Sequence, residues 1–502
     1  MEGDEVCLFK FGEPSPLRKK YMESEEMVEK SLRDIYDSIS PIDYRYWSKD
    51  VAHYLSENGY TRYKLKVEAA LVRVLYARGI CDSNILEEVE KACEQITTEE
   101  VYSEEEKTKH DIRALVNCIQ RKVSERAKSY VHMTATSFDI VETANAARYR
   151  DVTTEVLLPA LIELEEVLIA LTRREAGTIQ IGRTHGQHAV PITFGFAMAE
   201  YVSCLGESIL SLREKAKGLV GKFSGAVGAY NASSLFFDDP EEFERDVLND
   251  LFLEPGEYST QIAMPERTMR FFFELILIGG RLANLSRDMR NLQRTEIGEV
   301  GELFEKSQVG SSTMPQKRNP INFENVESIW KILVGRLTTV VLDQISEHQR
   351  DLTNSASART LGETIGYLVS VTKRLTKTMK KLQVDKANLE RNFNLQKGLI
   401  AAEPLYITLA ASGHPDAHEK VRLLTLQAQR EHKALEEVAT ADPEVEKYLS
   451  LPDNLDRRRI ISNPSLYAGI ASKKAEKIAI DWTLKVYNLK SDLAQWGKYK
   501  ES

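Results

Sequence analysis

The chain has 502 residues, 42% of them apolar, and a formal net charge of −9. That length suits one very large domain or two to three ordinary ones around a substantial core. The acidic balance argues against a nucleic-acid or anionic-membrane surface while leaving room for a local basic pocket. Five irregularly spaced cysteines without a CxxC indicate neither a disulfide framework nor a zinc site, and they fit a reducing, cytoplasmic setting.

In chain order, residues 1–39 read as an extension entering a first helix, with no apolar run long enough for a secretory signal. Proline is absent from 42 through 158 and again from 321 through 403, and these runs are rich in Leu, Ala, Glu, Lys and Arg, which predicts helices. Leu157, Leu161, Leu164, Leu168 and Leu171 form one apolar stripe at helical spacing; Leu368, Val371, Leu375, Met379 and Leu382 form another. Such stripes are core, and their lengths predict long helices packed as a bundle. The most apolar stretch, 271–285, is interrupted by Glu274 and Arg281, so it reads as a buried helix and not a membrane span. Alternating strand patterns are scarce, and neither GxGxxG nor GxxxxGK[ST] occurs. The expected architecture is all-α in three helical domains. These are 1–135, a long-helix bundle over 136–387 that carries a loop at 308–320, and 388–502 with shorter, more charged segments.

Several short stretches can carry chemistry. After Ser40-Pro41, the pair Arg45-Tyr46 can hold a phosphate through charge and hydroxyl donors, or can simply follow a helix-start turn. In Lys109-His110-Asp111 a histidine stands between a cation and a carboxylate, which suits an anionic ligand; the alternative is an exposed helix start capped by Thr108. Thr136 and Ser137 precede a helical run and can either cap it or donate to a carboxylate. His185 and His188 could be a metal pair, but Gly186 and Pro191 make a helix unlikely there, so an acid or base on a loop is the better reading. The run 224–228, Ser-Gly-Ala-Val-Gly, allows close approach of backbone to ligand or of helix to helix, the latter being expected. Gln261 offers an amide. Arg350 and Arg359 lie nine residues apart, on roughly opposite sides of an ideal helix, and can share a ligand only if that segment bends or starts outside a helix.

The loop Gly310-Ser311-Ser312-Thr313-Met314-Pro315-Gln316-Lys317-Arg318-Asn319-Pro320 organises the rest. A serine hydroxyl is a base only where its anion is stabilised, and a lysine six residues beyond Ser311 can do that. The loop closely resembles the signature of the fumarase/aspartase superfamily. With SPxDxRY, HD, TSxD, GRTHGQ, GAVG, TQI and QRDLTxS in register from Ser40 onward, the chain resembles the adenylosuccinate lyase family.

The resemblance implies three helical domains and a homotetramer whose middle domains form a central bundle. It implies active sites shared between three subunits, with no metal or organic cofactor. The implied reaction is β-elimination of fumarate from adenylosuccinate to give AMP, and from the succinylated aminoimidazole carboxamide ribotide to give its carboxamide. Carried over by position, Ser311 is the base, Lys317 stabilises its alkoxide and the new charge, and His185 is the acid. Arg45, Tyr46, Arg350, Ser355 and Arg359 grip the phosphate. Thr136, Ser137, Gln261, Ser312, Lys317 and Asn325 hold the succinyl part, and Lys109, His110 and Asp111 line the nucleotide side. Departures from the family pattern are Tyr44, Lys109, Phe138 and Gln316, of which Gln316 resembles argininosuccinate lyases. Competing readings are another fumarate-releasing lyase of the superfamily, which would not need a phosphate site, and a non-catalytic helical scaffold.

Overall fold

The computed structural model describes residues 38–303 and 313–501, apart from the side chains of residue 397 and of 498–501. The chain divides into two compact units, Met1–Ser48 and Lys49–Ser502. In the first, a single helical turn spans Pro41–Tyr44. Ser40 is extended, as a residue before proline must be, and Pro41 sits at the first helical position, where its missing N–H removes no bond. The N–H groups of Arg45 and Tyr46 both donate to the Pro41 carbonyl at 3.0 Å.

The second unit begins with α1 (Lys49–Leu55), α2 (Glu57–Ala77), α3 (Ser83–Gln95), α4 (Thr98–Thr108) and α5 (Asp111–Lys122). Side chains close their free N–H groups: Ser56 accepts from Gly59 N, Asp82 from Ile85 N, and Thr97 exchanges bonds with Glu100 in a capping box. Next come α6 (Ser137–Val152) and a π turn over Thr153–Leu157, then α7 (Leu158–Arg174). The π turn ends two residues before Pro159, which cannot donate to the preceding turn.

A hairpin of β1 (Ile179–Thr184) and β2 (Gln187–Thr193) separates α7 from α8 (Phe194–Lys217). Then come α9 (Pro240–Asn249), α10 (Pro265–Leu292), α11 (Ile321–Leu342) and α12 (Leu361–Lys380). The other described strand pairings are two residues long, so the architecture is all-α. Helices α7, α8, α10, α11 and α12 pack side by side as the bundle. Leu157, Leu161, Leu164 and Leu168 are fully buried, as are Leu368 and Leu375, so both apolar stripes are core. The 271–285 stretch lies in α10, with Phe271, Phe272, Leu275 and Ile278 completely enclosed and the Glu274 carboxylate accepting from the Ser211 hydroxyl at 2.6 Å. None of the described helices is long and apolar enough to cross a membrane.

The C-terminal part runs through α13 (Lys386–Asn394), α14 (Ala402–Ala411), α15 (Ala417–Glu431), α16 (Leu435–Ala441), α17 (Pro443–Leu449) and α18 (Leu455–Ser462). Helices α14 to α18 bury a separate cluster built on Leu405, Leu409, Leu424, Leu435, Val445 and Leu449. The last helix, α19 (Ala471–Glu501), returns to pack on α7 and α8. There Gly206 makes room for Trp482, whose ring would lie 2.3 Å from any added Cβ.

Candidate active site

The amino end of α6 is the centre of the arrangement. Thr136 is its N-cap residue, in an extended conformation, and the Thr136 N–H donates to the Asp139 carboxylate at 2.8 Å. Ser137 opens the helix, where unpaired N–H groups and the positive dipole end favour an anion. The Ser137 hydroxyl lies 3.5 Å from His110 Nε2. His110 itself caps α5, its Nδ1 accepting from Arg113 N at 3.3 Å, so this helix is capped by the histidine and not by Thr108. Lys109 ends α4 in the left-handed conformation, which turns the chain sharply enough to bring His110 back towards α6. Burial would raise the Asp111 carboxyl, but Lys64 Nζ at 3.0 Å holds it below its ordinary value. The Tyr60 ring is flanked by Lys64 at 4.0 Å and Arg148 at 4.1 Å, and burial pushes its hydroxyl pKa upward.

Asp139 reaches inward from the same helix end. It pairs with the buried Lys222 ammonium and accepts from Gly225 N at 3.2 Å. Lys222 Nζ also donates to the Gly225 carbonyl at 2.8 Å, and its backbone exchanges bonds with the Thr143 hydroxyl. Gly225 and Gly228 both have positive φ, and a Cβ on Gly228 would meet the Ser259 carbonyl at 2.0 Å. The expectation of helix packing for 224–228 is therefore corrected: these glycines let one loop lie against the backbone of another. The Ser224 and Ser259 hydroxyls meet at 2.6 Å across that contact. Gln261 follows in the held turn, where Thr260 N donates to the Ile262 carbonyl at 3.0 Å.

A cleft of about 360 Å³ is lined by Tyr258, Thr260, Ala263, Gln344, His348 and Arg350 among others, with Gln261 outside its lining. Arg350 has φ +80° and is anchored through its guanidinium to the Gln344 carbonyl at 3.1 Å and to the Ser346 hydroxyl. The chain from 343 to 357 runs through turns, and a helical conformation resumes only at Ala358–Thr360. The opposite-sides geometry of an ideal helix thus does not apply to Arg350 and Arg359. Ser355 is exposed in this turn, and Arg359 is exposed with its charge acting on the Tyr102 hydroxyl of α4.

His185 stands apart on the hairpin. His185 and Gly186 have φ of +54° and +74°, the two-residue turn whose twist matches paired strands. This turn leaves His185 exposed at the tip. The base of the hairpin is fixed by the buried Glu299, which accepts from Arg183 at 3.1 Å, Gln180 at 2.8 Å and Asn392 at 2.9 Å. Burial and the neighbouring Arg183 lower the pKa of His188, favouring the neutral ring. Lys317 is exposed in the described part of its loop, and Asn325 lies in the first turns of α11. Ser311 and Ser312 lie outside the described residues, and Arg45 and Tyr46 belong to the first unit. Among the described residues no group of three or more His, Cys, Asp or Glu is placed to hold a metal ion.

The structure thus gathers Lys109, His110, Asp111, Thr136, Ser137 and the Gln261 turn around one helix end. It also adds residues that sequence reasoning missed. Asp139 carried a legible signal, three residues after Thr136 as a capping box requires. Lys222 and Tyr60 carried none, because only packing brings them to this place.

Residues 31–335 match a family model described as lyase, and residues 346–450 match one described as adenylosuccinate lyase C-terminal. The chain is 38% identical over 451 residues to adenylosuccinate lyase of Pyrococcus horikoshii, covering 88% of this chain and 97% of that one. It is 34% identical over 449 residues to adenylosuccinate lyase of Methanocaldococcus jannaschii, covering 88% and 95%. Among solved structures, the 3-carboxy-cis,cis-muconate lactonizing enzyme of Pseudomonas putida superposes with a TM-score of 0.77 at 26% identity, covering 88% and 98%. A fumarate lyase from Mesorhizobium sp. BNC1 superposes at 0.76 with 24% identity, covering 86% and 98%, which speaks to the fold.

Proposed function

The chain belongs to the adenylosuccinate lyase family, and from that premise we propose how its residues divide the work of releasing fumarate. It is a carbon–nitrogen lyase acting on adenylosuccinate. The products are AMP and fumarate, and the succinylated aminoimidazole carboxamide ribotide is a second substrate of the same site, which places the enzyme in purine nucleotide biosynthesis.

The reaction removes a proton beside a carboxylate and expels a nitrogen from the next carbon. The intermediate carries a second negative charge on that carboxylate, so the site must supply donors before the charge forms. Ser311 takes the proton, and Lys317 stabilises both the serine alkoxide and the new charge. His185 protonates the departing nitrogen, a role that histidine often takes in general acid–base catalysis. Thr136, Ser137, Gln261, Ser312 and Asn325 hold the succinyl carboxylates. Arg45, Tyr46, Arg350, Ser355 and Arg359 take the phosphate, and Lys109, His110 and Asp111 line the base and ribose.

The observation that carries this reading is the Ser137 hydroxyl 3.5 Å from His110 at the positive end of α6, where Asp139 binds the loop against which the 259–263 turn packs. That end suits a dianion. His185 and Lys317 face solvent on the single chain, which supports a homotetramer whose sites draw on three subunits. Helix α11 supports the same assembly: it buries Phe323, Val326, Ile329 and Leu333, yet leaves Ile332, Val334, Val341 and Leu342 exposed. The division into domains at 135 and 387 accompanies this proposal, as does a cytoplasmic location.

The test is ultraviolet absorbance of the purified enzyme with adenylosuccinate, the products being identified as AMP and fumarate. Ser311→Ala is expected to keep the assembly and lower kcat by about 10²–10⁴-fold. Turnover of argininosuccinate in place of adenylosuccinate would overturn the substrate, and near-normal turnover by S311A would overturn the base.

A further inference from the structure

None of the roles above uses Glu302, yet its carboxylate fixes the point at which the loop carrying Lys317 rejoins the bundle. Helix α11 starts after Pro320, and a proline side chain has no acceptor for the free N–H groups of a first turn. Glu302 supplies the acceptor from the far side of the loop. One of its oxygens accepts from the Asn322 N–H at 3.0 Å and from the Phe323 N–H at 3.2 Å. The other accepts from the Asn322 side-chain amide at 2.6 Å. The residues so joined lie 20 and 21 apart in the chain. Glu302 is buried, and a buried carboxylate that meets three N–H donors at the positive end of a helix is held in one place.

Both partners are themselves anchored. Asn322 Oδ1 accepts from Arg374 Nη1 of α12 at 2.9 Å. Behind Glu302, Val300–Gly301 pair with Gln383–Val384, and the Asp385 N–H donates to the Glu299 carbonyl at 2.9 Å. Gln293, the residue after α10, spans the same gap. Its Oε1 accepts from the Glu302 N–H at 3.1 Å, and its Nε2 donates to the Arg318 carbonyl at 3.4 Å. Lys317 precedes Arg318 in a turn closed by its own N–H, which donates to the Met314 carbonyl at 3.0 Å.

We infer that Glu302 is a positioning residue for Lys317 and Asn325, with Gln293 as its second tie. The inference rests on the reading of those two residues as contacts to the succinyl part and to the charge that develops on it. Asn322, which Glu302 holds, lies between them in the chain. A side chain that must meet a charge formed only in the transition state is effective only if its backbone does not yield. A displacement of about 1 Å can cost about 10²-fold in rate. Without the Glu302 carboxylate, two N–H groups in the first turn of α11 lose their acceptor and the Asn322 side chain keeps only its bond to Arg374. The limb from Lys317 to Asn325 can then shift while the bundle stays in place. AMP carries no succinyl group, so its binding does not register that shift.

The experiment uses the full-length assembled enzyme. It measures kcat with adenylosuccinate and, separately, the inhibition constant of AMP. Glu302→Ala is expected to lower kcat by about 10–100-fold while the AMP constant stays within about twofold of wild type. Glu302→Gln keeps an oxygen for the two backbone N–H groups but sets an amide against the Asn322 side chain, and it is expected to recover part of the lost kcat. Gln293→Ala is expected to show the same pattern with a loss of about three- to tenfold. Should E302A fail to assemble, E302Q and Q293A carry the test. Near-normal kcat in the variants that assemble, or an AMP constant that rises in step with the fall in kcat, overturns the positioning role. Lys317→Met separates the two readings. An unchanged kcat in K317M removes the role of Lys317 itself, whereas a K317M kcat lowered about 10²-fold beside normal turnover in E302A removes only Glu302.

Discussion

Asp139 and Glu165 are carboxyls with no solvent exposure on two helices that follow one another, α6 and α7, and their surroundings are opposite. Asp139 has the Lys222 ammonium and the N–H groups of Thr136 and Gly225. Glu165 has neither oxygen bonded to any described residue. Burial pushes both carboxyls up, and only at Asp139 does anything pull against it. The difference teaches where the fold uses polarity. At the end of α6 a buried charge is the knot that ties the segment before the helix to the 222–225 loop. In the middle of α7 a buried carboxyl faces only core, with Leu161, Ile162, Leu168 and Ile169 as its neighbours along the helix, all buried.

The largest expected effect breaks the knot. Lys222→Met leaves Asp139 buried without a counter-charge and should destabilise the enzyme by about 3–5 kcal/mol in urea unfolding, with activity lost alongside. Adding Asp139→Asn to that variant should recover part of the loss. A K222M midpoint equal to wild type would erase the contrast between the two helices.

The next effect has the opposite sign. Glu165→Leu should stabilise by about 1–3 kcal/mol at pH 8, since it removes a carboxyl that is buried without a partner. The Glu165 carboxyl is raised in the folded state. Its contribution to stability is therefore fully present below the unfolded value of about 4.3 and is lost as pH rises towards the folded one. The gain from E165L should accordingly shrink as pH is lowered from 8 to about 4.5 in parallel unfolding curves. A gain that does not change with pH would mean that Glu165 is solvated or paired.

The smallest effect sharpens the first region. Ser224→Ala removes the 2.6 Å bond to the Ser259 hydroxyl and should cost about 1 kcal/mol. Because that bond supports the Gln261 turn, KM should rise more than kcat falls. A change in stability with unaltered KM would detach the turn from the site.

Much of this protein could be read from residues close together in the chain. The 157–171 and 368–382 stripes identified core helices because helical periodicity is local. Thr136-Ser137, Lys109-His110-Asp111 and the 310–320 loop stood out as candidates because each is a short run whose residue types need no distant partner to be noticed. His185 was legible as a loop histidine, since Gly186 and Pro191 exclude a helix. That it tips a hairpin was less so, because strand pairing depends on the partner strand and on Glu299 beneath it.

Only tertiary structure decided the rest. The role of 224–228 depended on what packs against Gly228, and that is a backbone 31 residues away in the chain, at Ser259. Tyr60 and Arg148, Asp139 and Lys222, and Ser224 and Ser259 meet in pairs drawn from separate segments that share no spacing. Sequence determines which stretches are helices and which side chains are available, because propensity and periodicity act over a few residues. Which of those side chains meet is set by how the long helices pack, and that depends on every contact in the core together.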